Sequence, residues 1–224
     1  MREAANMNDT VSVIGIDLSG PRNVADTSMA AFELRGALLH FARGINGAGD
    51  QEIIQLVSDA GKRGRVIIGI DAPLSYNPGG GDRPSDQELR RLVLEKGRGV
   101  GVMPPTMIRM VYLTLRGIAL TRMLETLRPH IQLEIVEVHP GACMLLRGAP
   151  AKDIAGFKRE LPARLRLLQW LESMGLRELP QTEDTADHFV AACAAALAAW
   201  QWSLGKEAWR FPAQPPEHPY EFEC

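Results

Sequence analysis

The chain has 224 residues, 46% of them hydrophobic and 23% charged, which excludes disordered, collagen-like and fibrous classes. A chain of this length can bury a sizeable core. Its 25 Lys+Arg against 27 Asp+Glu leave a formal charge of −2, so no overall basic charge advertises nucleic acid, and only a local patch could serve that purpose.

Residues 1–10 are polar and hold no apolar signal core. Residues 11–17, Val-Ser-Val-Ile-Gly-Ile-Asp, are a β-branched run ending in an acid, which predicts a central strand. After the break at Ser19-Gly20-Pro21, residues 27–34 and 37–42 predict a meander hinged near Gly36. Ile53, Ile54, Leu56 and Val57 give 50–62 the apolar stripe of a helix, with Gly61 as its stop. Residues 65–71 repeat the pattern of a buried strand ending in Asp. Gly79-Gly80-Gly81 between two prolines makes 76–84 a loop. A helix near 84–95, a turn over 97–105 and a long helix over about 106–128 follow, so 76–128 is expected to be a largely helical insertion.

Residues 132–138 predict a strand that His139-Pro140 ends. A basic helix over 157–174 should start or kink at Pro162. The last helix, 183–204, is rich in alanine and suited to close approach to a sheet. Its uncharged stretch approaches the length of a membrane span, but the alanines, His188 and Gln201 favour a buried helix. The Pro-rich tail 211–224 predicts an irregular strap. Cys143, Cys193 and Cys224, odd in number and widely spaced, make neither a disulfide framework nor a zinc knuckle. The order of elements predicts one α/β domain over 1–224, with a mixed five-stranded sheet flanked by helices. A cytoplasmic protein with no membrane partner is expected.

In open α/β sheets, ligands gather outside the carboxyl ends of the central strands. Asp17 and Asp71 stand at such ends, and Glu137 lies at the end of a third strand. Asp184 and Asp187, three residues apart in a predicted helix, would share a face. Acids gathered this way repel one another unless a cation neutralises them. Oxygen ligands suit Mg²⁺ or Mn²⁺, and two such ions can promote phosphodiester hydrolysis. Each acid also has a plainer role: Asp17 in the turn at 18–20, Asp71 before Pro73, Asp184 at a helix N-terminus. Asp187, deeper in an apolar helix, is the hardest to explain that way. Arg83, Arg90 and Arg116 are candidates to clamp a phosphate, although Arg83–Asp86 and Asp86–Arg90 are also spaced as ordinary helix pairs. His139 is a candidate proton shuttle and Lys158 a candidate phosphate contact. No Walker A motif and no Gly-x-Ser-x-Gly elbow occurs.

Several of these segments, in order along nearly the whole chain, carry a resemblance. They are Gly15-Ile16-Asp17 with Ser19-Gly20; Ile70-Asp71-Ala72-Pro73-Leu74; Arg83-x-x-Asp86-x-x-Leu89-Arg90; Pro104-Pro105-Thr106; Leu113-Thr114-x-Arg116-Gly117; Glu137-Val138-His139-Pro140; and Asp184-x-x-Asp187. The chain resembles the family of predicted nucleases of ribonuclease H-like fold catalogued as domain of unknown function 429. Its layout is also similar to that of Holliday-junction resolvases, with acids on the first strand, the fourth strand and a closing helix. The resemblance implies a ribonuclease H-like sheet, a nuclease or phosphodiesterase activity, and Asp17, Asp71, Asp184 and Asp187 as ligands of Mg²⁺ or Mn²⁺. Glu137 is an extra acid at that site. The insertion 76–128 departs from a minimal ribonuclease H domain and leaves the substrate, nucleic acid or nucleotide, open. Two alternatives stand beside this reading. One is a nucleotide-binding protein related to actin and sugar kinases, which at this length would need two chains to pair as a homodimer. The other is a non-catalytic module whose acids hold a structural ion.

Overall fold

The computed structural model describes residues 10–97 and 100–224. Among these, eight strands form one mixed sheet in the order β6-β3-β2-β1-β4-β5-β8-β7, flanked by seven α-helices. Its centre is β1 (Thr10–Asp17) and β4 (Gly64–Asp71), parallel and in register from Thr10↔Gly64 to Asp17↔Asp71. On one side β2 (Ser28–Arg35) and β3 (Leu38–Asn46) form the expected antiparallel meander, turned at Gly36 with φ +62°. On the other, β5 (Leu133–Val138) lies parallel to β4.

Five strands were expected, and these are β1 to β5. The sheet is wider because three two-residue strands extend it: β6 (Leu176–Arg177) beside β3, and β7 (Arg210–Phe211) with β8 (Phe222–Glu223) beyond β5. The tail is therefore not wholly an irregular strap. Its end adds β8 to the open edge of β5, where Glu137 and Val138 pair with Phe222 and Glu223. Such pairing satisfies backbone groups that an edge strand would leave open.

The period of two along each strand divides the core. Ile14, Ile16, Ile68 and Ile70 face α1 (Asp50–Gly61) and α3 (Val111–Glu125). Val13, Ile67 and Val136 face α7 (Asp187–Ser203), which α4 (Pro140–Leu146) and α6 (Leu161–Ser173) cover from outside. α2 (Pro84–Lys96) packs against α4. The insertion is less helical than expected: the long helix begins at Val111 rather than near 106, and 100–110 holds only turns. Two helices were not anticipated, α4 and α5 (Ala151–Gly156). Pro162 starts α6, where its missing N–H has no helical partner to lose.

α7 settles the position of everything near the site. Residues 189–200 are buried all round, and no helix among the described residues is long and apolar enough to cross a membrane. The helix lies directly on Gly15 of β1 and Gly69 of β4. A Cβ on Gly15 would stand 1.9 Å from the Ala192 carbonyl oxygen, and one on Gly69 would stand 2.4 Å from that of Ala195. Glycine in the strands and alanine in the helix together permit this approach. Two residues further along each strand, on the same face, stand Asp17 and Asp71.

Candidate functional site

The two strand-end acids are direct neighbours. They are partners in the β1–β4 register and therefore project to the same side of the sheet, toward the N-terminal end of α7. Burial raises the Asp71 carboxyl well above its usual range, and the charge and hydrogen bonding of Asp17 push it the same way; Lys158 opposes them. Asp17 Oδ2 lies 2.6 Å from His188 Nδ1, with the acid largely buried and the imidazole about a third exposed. That hydrogen bond raises the His188 pKa against the opposing effect of burial.

The acids form the floor of a cleft with two adjoining cavities of about 190 and 280 Å³. Asp17, Asp71, Gly101, His139 and Lys158 line both. The first cavity continues along Ile154, Phe157, Asp187 and His188, the second along Leu18, Met103, Met110 and Leu113 on one side and the Arg83, Asp86 and Glu137 cluster on another. Loop residues 100–103 form the roof. Arg90 donates to the Val102 carbonyl from Nε at 3.0 Å and Nη2 at 2.9 Å, while holding Asp82 with both terminal nitrogens at 2.6 Å. His139 Nδ1 accepts from the Ala142 N–H at 3.3 Å, which leaves Nε2 to donate to the Gly101 carbonyl at 3.0 Å. Burial holds that imidazole below its ordinary pKa, so it is a neutral ring with both nitrogens engaged. A larger cavity, about 330 Å³, lies between α3 and the tail at Leu74, Ile118 and Tyr220; it contains none of the strand-end acids.

Residues 15–217 match the family model described as Protein of unknown function (DUF429). The chain belongs to this family. No curated protein and no solved structure matches it.

In this DUF429 protein the predicted residues divide into those that share the cleft and those committed elsewhere. Asp17, Asp71 and Asp187 line one cavity. Asp184 does not join them. It precedes α7, so the expected shared helical face does not exist; it is exposed and lines a different hollow with Phe41 and Phe189. Glu137 pairs in register with Ile70, one residue before Asp71, so its side chain leaves the strand on the opposite side of the pleat, yet at the strand end it still lines the second cavity with Asp17 and Asp71, and its charge adds to the rise at Asp71. There its carboxylate accepts from the Leu74 N–H at 2.9 Å and from Arg83 Nη1 at 2.8 Å and Nη2 at 2.5 Å.

Each of the three arginines is engaged by carboxylates of the protein itself. Arg83 is buried between Glu137 and Asp86, which it also meets from Nε at 3.0 Å and Nη2 at 2.8 Å, and its guanidinium lies over the Phe222 ring. Arg116 is buried beneath the loop that follows β1, donating to Asp50 and to the Ser19 carbonyl and Thr27 hydroxyl, each at 2.8 Å. Arg90 holds the roof. Of the cations expected to meet phosphate, Lys158 is the one exposed at the cleft. His188 was not anticipated as a site residue. Its placement beside Asp187, at the start of a helix that must descend on the Gly15–Gly69 surface, was the available signal.

Among the described residues no group of three or more His, Cys, Asp or Glu is gathered closely enough to hold an ion by itself. The arrangement still fits a hard cation of one kind. Mg²⁺ is usually held through one or two carboxylates and takes its other positions from water and substrate phosphate. Asp17 and Asp71 are two such carboxylates, and their mutual repulsion is the kind a cation relieves.

Proposed function

We propose that this protein is a divalent-metal-dependent phosphodiesterase of ribonuclease H-like architecture, with Asp17 and Asp71 holding the ion. The observation that carries this reading is the register pair itself: two carboxylates side by side at the ends of adjacent parallel strands, one with its pKa pushed well up, on the floor of a cleft. The order β3-β2-β1-β4-β5 supports the architecture, as do acids on the first and fourth strands with Asp187 at the start of the closing helix. That layout is the one the sequence resemblance implies.

A bound Mg²⁺ or Mn²⁺ would supply charge neutralisation at the phosphoryl oxygens and make a nearby water more acidic. The protein's residues do the rest. Asp17 and Asp71 would hold the ion, and the His188 hydrogen bond fixes the orientation of the Asp17 carboxylate. Lys158 offsets the negative charge that gathers on the phosphoryl group. In the overall reaction a water oxygen bonds to phosphorus and one ester P–O bond breaks. The water loses a proton and the leaving alcohol gains one, so a phosphomonoester and an alcohol result. His188, which lines the first cavity beside Asp17, would accept or return that proton; His139, with both nitrogens engaged, holds the loop at Gly101 instead.

The test is hydrolysis of bis-p-nitrophenyl phosphate with Mg²⁺ or Mn²⁺, beside thermal unfolding with and without each ion. The ion should raise Tm and support turnover, and Asp17→Asn or Asp71→Asn should lower turnover by about 100-fold or more. Full metal-dependent turnover by both variants, or no rise in Tm with either ion, would overturn the reading.

A further inference from the structure

The cleft has a shape that selects among phosphodiesters. Its two cavities meet at the acid pair and Lys158, and each has an apolar wall leading away from that centre, faced by Asp187 and His188 in the first and by the Arg83–Asp86–Glu137 cluster in the second. Ile154 and Phe157 form one wall; Met103, Met110 and Leu113 form the other. A phosphodiester has the same plan, a charged phosphoryl centre with two organic arms. Flat or apolar arms would bury against these walls, and methionine sulfur packs well on aromatic faces.

Two further observations oppose a long nucleic acid. The loop at 100–103, which lines both cavities, is held in place by Arg90 at Val102 and by His139 at Gly101. Tight duplex binding rests on several Lys or Arg contacts to successive phosphates. Here Arg83 and Arg116 are buried in internal ion pairs and Arg90 is spent on Asp82 and the roof.

We infer that the cleft takes one small phosphodiester of dinucleotide size, with an ester arm in each cavity, and not a stretch of duplex. This rests on the phosphodiesterase reading above and specifies its substrate class. The arm in the second cavity would lie against Met103 and Met110, and the arm in the first against Phe157, with the scissile phosphorus between them above Asp17 and Asp71.

Calorimetric titration of the intact protein in Mg²⁺ tests the inference, using phosphorothioate-linked dithymidine, which resists hydrolysis, beside a DNA duplex of about 20 base pairs. Met103→Trp fills the second cavity without adding charge beside the acid pair, and Ala155→Trp, at an exposed position of the first, narrows it. Each should weaken dithymidine binding about tenfold or more, while the Mg²⁺-induced rise in Tm, which depends on the acid pair, stays as in the parent. The inference is overturned if the duplex binds as tightly as dithymidine, or if neither variant changes dithymidine affinity while the metal-induced rise persists. Loss of that rise in the parent protein itself would instead remove the metal reading beneath it.

Discussion

Arg83 and Glu137, 54 residues apart, form a buried two-point pair at 2.8 and 2.5 Å, and Asp86 grips the same guanidinium from its other edge. One cation thus serves two carboxylates, and the Leu74 N–H supplies a further bond to Glu137. This cluster ties α2 and the segment after β4 to the end of β5. Both acids are neutralised within it, at the edge of the second cavity.

Glu137→Ala should therefore destabilise the protein whether or not metal is present. Removing one partner of a buried ion pair costs about 3–5 kcal/mol because the other charge stays buried. Denaturant unfolding should show that loss, and the Mg²⁺-induced rise in Tm should survive in the variant. An unchanged stability together with a lost metal response would instead place Glu137 among the ligands.

Asp71 should behave in the opposite sense. An acid whose folded pKa lies above its unfolded value binds more protons when folded, so it favours the folded state at low pH. Stability then falls as pH rises from the usual carboxylate range through the raised value, and the full penalty applies above it. Asp71→Asn removes that penalty. Without metal, its Tm at neutral pH should equal or exceed that of the parent, and the parent's decline with rising pH should flatten. A variant markedly less stable at neutral pH would mark Asp71 as a structural acid.

Gly15→Ala should be among the most damaging small substitutions in the chain. The added Cβ would meet the backbone of α7, at Ala192 O and Ala196 N, and neither can move without displacing the helix. The cost should reach or exceed the roughly 1–3 kcal/mol typical of overpacking. It should also impair the site, because α7 carries Asp187 and His188. Gly20→Ala, where a Cβ meets nothing within 4 Å, is the control and should be near neutral. Equal Tm values for the two variants would contradict the close helix–sheet approach.

Arg90→Met should loosen the roof with little effect on global stability. The Arg90–Asp82 pair is partly exposed, and such pairs contribute about 1 kcal/mol or less. The two bonds to Val102 are nevertheless what holds the loop over the acids from the α2 side. Hydrogen exchange at residues 100–103 should become faster by about tenfold or more, while exchange in β1 and β4 stays slow. Unchanged exchange in the loop would show that the His139–Gly101 bond suffices alone.

The sequence by itself determined the two short strands that end in Asp17 and Asp71, the meander turned at Gly36, and the alanine-rich closing helix. These are local patterns, with period two in strands and 3.6 in helices, and each follows from residues only a few positions apart. Only the tertiary structure decided which acids meet. Asp17 and Asp71 converge because their strands pair in equal register, whereas Glu137, whose register partner is Ile70, leaves on the other side of the pleat and meets the second cavity as the partner of Arg83. Asp184 drops out because the helix starts at Asp187, four residues later than the expected 183. The partners of Arg116 at Ser19 and of Asp17 at His188 lie 97 and 171 positions away in the chain. Pairings of that range depend on how helices settle on the sheet. Here the decisive fact is the absence of side chains at Gly15 and Gly69, which lets α7 come close enough to bring His188 to Asp17.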